Sequence, residues 1–224
     1  MATSVALLVG LAACQTVPET PHVAAAPPAE QGQPQAPDPA DAADAARLQS
    51  MIDAALGGDK AFRVEGNTHV RHIQSGMTCD LSKDSVAPLA HLFVFPAAAV
   101  GDDVGCDRAL PDGKMTVFAT RKGHLSFDDY VAGTVNSMRR MFPSGISTAA
   151  IVPTYPDMSN PRAFSFDVTL DGHPYVTTAW IAEEGDWFVT VRSTYPAEAK
   201  GQLEVLSAIT IIPARLSIRS AGGR

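Results

Sequence analysis

The chain is short of almost everything that announces a chemistry. Its 224 residues include three cysteines, at 14, 79 and 106. No C-x-x-C is present, which excludes thiol exchange of the thioredoxin type, and a zinc site would need two further ligands. No G-x-S-x-G is present either, so the strained nucleophile turn of the α/β-hydrolases is missing. No apolar run reaches the roughly 20 residues of a membrane-spanning helix. Basic residues are outnumbered 17 to 24, giving a formal net charge of −7. A nucleic-acid binder presents a basic face, and this balance excludes that class. No internal repeat is detectable.

What the chain does have begins at its start. Val5 to Ala13 is small or apolar throughout and runs into Leu11-Ala12-Ala13-Cys14. The tetrapeptide resembles the lipobox of bacterial lipoproteins. That resemblance implies a signal peptide over 1–13, a diacylglycerol on the Cys14 sulfur and an amide-linked acyl chain on its amine. Two or more chains anchor a protein stably where one does not. Gln15 after the cysteine implies sorting to the periplasmic side of the outer membrane. Met1 to Ser4 carries no Lys or Arg, whereas a secretory signal opens on a basic stretch, so the true start is expected upstream. With Cys14 lipidated, Cys79 and Cys106 remain as an even pair in an oxidising compartment, and they are expected to form a structural disulfide.

Residues 14–46 then read as a lipidated cysteine and an acidic tether. Seven prolines lie between Pro18 and Pro39, and five acids (Glu19, Glu30, Asp38, Asp41, Asp44) face no Lys or Arg. Such a segment cannot bury enough apolar surface to offset its ordering entropy. At about 3.1 Å per residue its roughly 31 residues reach on the order of 90 Å when extended. Setting its five acids aside leaves 19 acidic against 17 basic residues, a folded body near −2.

The body, 47–213, has the length of one domain, and 214–224 reads as a fraying basic tail. Ala45 to Leu56 is expected to be a helix ending at Gly57-Gly58. Strands are expected over Thr68–Ile73, Gly76–Leu81, Leu89–Phe95 and Met115–Thr120. Ser126 caps an amphipathic helix to Phe142, with Asp128 and Asp129 in its first turn and Arg139 and Arg140 in its last. Arg162 to Tyr195 reads as a three-strand meander. Asp171-Gly172 is a two-residue hairpin turn, and Glu183 to Asp186 form a second, four-residue turn. Pairing Leu170 with His173 and Ala182 with Trp187 sorts Phe164, Phe166, Val168, Tyr175, Ile181 and Phe188 onto one face. Val176, Trp180, Trp187, Val189 and Val191 go to the other. A sheet apolar on both sides needs cover on both. The expected fold is therefore α+β, a central antiparallel sheet covered by helices on both faces, with one disulfide. A last helix after Pro196 is expected to give way to an edge strand over Ile209–Ile212.

This order, with the phrases Trp180-Ile-Ala-Glu-Glu-Gly-Asp-Trp187 and Arg192-Ser-Thr-Tyr-Pro196, resembles the PsbP/DcrB-like α/β/α sandwich of small exported proteins. Ser75-Gly-Met-Thr-Cys79 and Gly105-Cys106-Asp resemble uncharacterised proteobacterial periplasmic proteins.

The groups capable of chemistry have ordinary explanations. His69 and His72, three apart on a strand, point to opposite faces and cannot share a metal. Asp102, Asp103, Asp107 and Asp112 lack the spacing of a calcium loop and read as a solvated loop. Glu183 and Glu184 fall in a turn, His91 reads as a core histidine, and His173 as surface. His124 lies beside Ser126, which the helix cap already explains. No catalytic residue, metal ligand or cofactor is assigned. Arg139 and Arg140 are the candidate partner surface. The expectation is a lipid-anchored, non-catalytic envelope module that binds another envelope protein or a cell-wall component. A carrier of small apolar ligands or lipids, and a hydrolase, are the alternatives.

Overall fold

The computed structural model describes residues 39–82, 91–96, 98–110 and 112–222. The signal 1–13, Cys14 and the tether as far as 38 lie outside the described residues. The fold is mixed α+β. Strands β1 (Phe62–Glu65), β2 (His69–His72) and β3 (Thr78–Asp80) form a small antiparallel sheet in that order. The large sheet uses β4 (Leu92–Val94), β5 (Asp103–Leu110), β6 (Gly113–Arg121), β7 (Ile146–Thr148), β8 (Arg162–Leu170), β9 (His173–Glu184) and β10 (Trp187–Pro196). Its order is β4-β5-β6-β10-β9-β8-β7, antiparallel throughout. Four helices complete the chain: α1 (Pro39–Ala54), α2 (Gly58–Ala61), α3 (Phe127–Met141) and α4 (Lys200–Gly222).

The meander forms where its turn residues place it. Asp171 and Gly172 both take left-handed φ, 50° and 82°, as a two-residue hairpin requires. Leu170 pairs with His173, Phe166 with Thr177 and Phe164 with Ala179, in the expected register. The second hairpin is tighter than expected. Glu184 pairs with Trp187 across a two-residue turn, so Ala182 faces Val189 and Trp180 faces Val191. The displacement is two residues, and an even displacement leaves every side chain on its predicted face.

Those faces define two cores. One unites Val176, Trp180, Trp187, Val189 and Val191 with Leu203 and Ile211 of α4, Leu48 and Ile52 of α1, and Val70 and Cys79 of the small sheet. The other packs Phe166, Val168 and Ala179 under Met138, Val135 and Phe142 of α3. Cys79 and Cys106 are bonded, tying β3 to β5. Ser126 caps α3 as expected, its Oγ accepting the Asp129 amide at 3.1 Å.

Five expectations are corrected at the ends and edges. Helix α1 starts at Pro39, so the last eight residues assigned to the tether are helical. Proline suits a first helical turn, and Ala40 to Ala46 has the composition of a good helix former. The edge strand at Ile209–Ile212 and the frayed tail from 214 are both part of α4, which runs through Pro213 to Gly222. Its continuation is held by burial of Ala214, Arg215 and Ile218. The acidic stretch around Asp103 and Asp107 is strand β5, not a solvated loop. Glu183 and Glu184 end β9 instead of sitting in the turn.

Candidate binding site

On the α3 side, α3 covers the β8–β10 half of the sheet. Its Tyr130 stacks on Phe188 at 4.2 Å, and the phenolic oxygen lies 3.1 Å from Thr120 and Thr190 Oγ1. Among the described residues no helix covers the β4–β6 half of that face. There Phe93, Phe95 and Phe118 lie half-buried in sequence, with ring centroids 6.0 and 6.1 Å apart. Gly105, paired with both Phe93 and Phe118, makes this possible. A Cβ at 105 would stand 2.9 Å from the Phe118 ring, so the glycine is the floor on which that ring lies.

One row below, Asp107, Thr116 and Arg192 are neighbours across three strands. Asp107 is 4% exposed and accepts a hydrogen bond from Thr116 Oγ1 at 2.7 Å. Lys114 Nζ lies 3.2 Å and His91 Nδ1 3.7 Å from its other oxygen, which no hydrogen bond satisfies. Lys114 also stands over the Phe93 ring, 5.6 Å from its centre. Arg192 places its guanidinium 5.6 Å over Phe118. Among the described residues it has no hydrogen bond and no ion pair within 4 Å, although it is half-buried. Burial pulls its pKa down, and attraction to Asp107 opposes the shift. Arg121 shows the contrast. It stacks on Trp187 at 4.4 Å but is fully engaged, with Asp102 at 2.5 Å and Gln74 at 2.6 Å.

The Arg192 guanidinium is half-buried, and its donors meet no protein acceptor among the described residues; they remain open to water or to a ligand. Arg192 and Lys114 stand near the buried Asp107, with Asp103 further along the same face of β5, and the two cations lie against an aromatic wall. Such an arrangement can meet an anionic group and an apolar body side by side. Planar carboxylates match the guanidinium fork.

The remaining candidates fall elsewhere. His91 is exposed at the edge of this patch, not in the core, because β4 turns its flank outward. The core histidine is His72, 0% exposed, which the sequence places on one face of its strand without marking it as core. Its Nδ1 accepts from the Ser75 amide at 3.2 Å, so the Ser75 hydroxyl, at 2.7 Å, must donate to it as well. Ser75 Oγ in turn accepts the Met77 amide at 3.0 Å. The ring proton is thereby placed on Nε2, which faces the Gly101 backbone without hydrogen-bond geometry. The pair locks the β2–β3 turn, and both members are buried.

Glu184 is likewise no ordinary turn acid. It grips Arg215, which is 4% exposed, at 3.2 Å and Arg219 at 2.8 Å. Arg139 and Arg140 are exposed on the last turn of α3. His124 and His173 are exposed. Among the described residues no three His, Cys, Asp or Glu side chains are grouped to hold a metal ion. No helix of the described residues is long and apolar enough to cross a membrane.

No family model matches the chain, and no curated protein does. Among solved structures, the crystal structure of PA94, a protein of unknown function from Pseudomonas aeruginosa, aligns at 13% identity with a TM-score of 0.35. The alignment spans 62% of this chain and 89% of that one. The solution structure of CalU16 from Micromonospora echinospora aligns at 14% identity and a TM-score of 0.24, over 59% and 75%. Likeness at this level carries nothing about function.

Proposed function

We propose that this protein is a lipid-anchored periplasmic lipoprotein of the outer membrane, a non-catalytic module that binds a carboxylate-bearing segment of an envelope protein or cell-wall peptide. Cys14 supplies the anchor, and the uncovered β4–β6 face supplies the binding surface. The observation that carries the reading is Arg192: a half-buried guanidinium over Phe118 with no hydrogen bond or close ion pair among the described residues. Lys114 adds a second cation at the rim, and Phe93 and Phe95 receive the apolar body of the ligand.

Two measurements test the two halves of the reading. N-acetyl-phenylalanine, added to the isotopically labelled protein, is expected to shift the Phe118 ring and Arg192 side-chain resonances, while its uncharged amide is expected to leave them in place. Equal response to acid and amide, or a response that survives Arg192→Met, removes the carboxylate site. Separately, Cys14→Ser is expected to abolish acyl labelling and release the protein from membranes, and continued attachment overturns the anchor.

A further inference from the structure

The opposite face of the sheet carries a second surface without an occupant. Helix α4 buries Leu203, Ser207, Ile211, Ala214 and Ile218 against the large core. On its outward side Val205, Ile209 and Leu216 are 45, 47 and 37% exposed, and Ile212, half-buried, completes the row. The spacing 205, 209, 212, 216 alternates four and three residues, the repeat of about 3.5 that a second helix fills with knobs-into-holes packing. The segment between β7 and β8 borders this row. Ile151 is pinned to α4 by its amide on Glu204 Oε1 at 2.9 Å, and Ser159 by Arg215 at 2.7 Å. Between those pins Ile151, Val152 and Tyr155 are 43–45% exposed.

We infer that this face of α4 is a two-fold interface between two copies of the chain. Antiparallel pairing sets Val205 against the partner's Leu216 and Ile209 against the partner's Ile212, so the row is self-complementary, as an isologous contact must be. The apolar groups named offer on the order of 500 Å² per copy, and with their surroundings the pair reaches the roughly 1,200 Å² at which specific interfaces begin. Charge agrees. Within the row there is none, and Lys200 and Arg219 are already paired with Glu204 and Glu184. Pairing brings Glu198, exposed and without an ion pair, toward the partner's Arg219. The same rim argues against a bilayer as the occupant. Surface-lying helices carry cations along their polar border, whereas here Glu198 and Asp157 are exposed beside the row. Association here is independent of the Arg192 site, which is on the other face of the sheet.

The test uses the full chain as Cys14→Ser, so that no acyl group drives association. At about 50 μM, light scattering should return twice the 23.6 kDa of one chain. Ile209→Glu and Ile209→Lys should each return a single chain with unchanged circular dichroism, and mixing the two should restore the double mass. Mixing Ile209→Cys with Ile212→Cys should yield a covalent dimer on mild oxidation. A single-chain mass for the parent overturns the inference, as does a dimer that survives both charged variants. So does binding of the parent to vesicles of phosphatidylethanolamine and phosphatidylglycerol that Ile209→Glu abolishes while the mass stays that of one chain.

Discussion

Acid should weaken this fold through one side chain. His72 is sealed in the core between Phe62 and Trp187, whose rings meet its edge at 5.6 and 5.4 Å. Burial is the main cause lowering its pKa from 6.5 to about 4, with the Arg121 charge adding to it and the Gly101 backbone and Asp102 opposing. The sign follows from proton uptake. Between pH 6.5 and 4 the unfolded chain holds the His72 proton and the folded chain does not, so stability is complete above 6.5 and is lost as pH falls toward 4. A unit of pKa is worth about 1.4 kcal/mol, which makes the full loss about 3 kcal/mol. That is a large share of the roughly 5–15 kcal/mol of an ordinary domain. Asp103, whose carboxyl burial raises, acts in the opposite sense near the bottom of the window. Comparison with His72→Gln separates the two. Urea unfolding followed by Trp180 and Trp187 fluorescence, at intervals from pH 7 to 4, should show the parent losing stability more steeply than the variant by about one proton. The His72 ring resonances should titrate near pH 4. Parallel pH profiles for parent and variant would refute the reasoning.

Other perturbations have equally definite outcomes. Replacing Cys79 and Cys106 by Ser releases a 27-residue loop and should cost about 3–4 kcal/mol in urea midpoint experiments. Gly105→Ala drives a methyl into Phe118 and should cost about 1–3 kcal/mol, with the Phe118 ring resonances displaced. Glu184→Gln leaves buried Arg215 without its carboxylate, a loss of about 3–5 kcal/mol, and thermal melting should register it. Ending the chain at Pro213 empties the Ile218 site. That alone costs about 2–5 kcal/mol, so the shortened protein should melt well below the parent.

The parts legible in the sequence are those written locally. Asp171-Gly172 dictates its own backbone, and the alternation around it fixes which residues share a face. Ser126, Asp128 and Asp129 mark the start of α3 by capping chemistry that acts within one turn. The rest depends on partners distant in the chain. Strand β5 looks like an acidic loop because its aspartates are satisfied across the sheet, Asp103 by Thr120 at 2.8 Å and Asp107 by Thr116 at 2.7 Å. The C-terminal segment looks like a basic tail until Glu184 is seen to hold two of its arginines. Pro39 reads as part of a proline-rich tether, although a first helical turn accepts proline freely. Arg192 stands out only after the register places it beside Thr116, above Phe118 and short of any partner. Within Arg192-Ser-Thr-Tyr-Pro196 it is an unremarkable strand residue.

The Cys79–Cys106 bond has a mechanical consequence. If the chain is pulled from its N-terminal side, the load enters at α1 and passes into β1 and β2, the first elements to peel. At Cys79 the path divides. The covalent link carries tension directly to β5, and the chain between the two cysteines, 27 positions apart, is bypassed. In β5 the force meets a strand flanked on both sides, by β4 and β6. Extension therefore halts after the small sheet has opened, and the large sheet with its Arg192 face keeps its shape under load. Reduction of that single bond would turn a stop into a continuous unravelling.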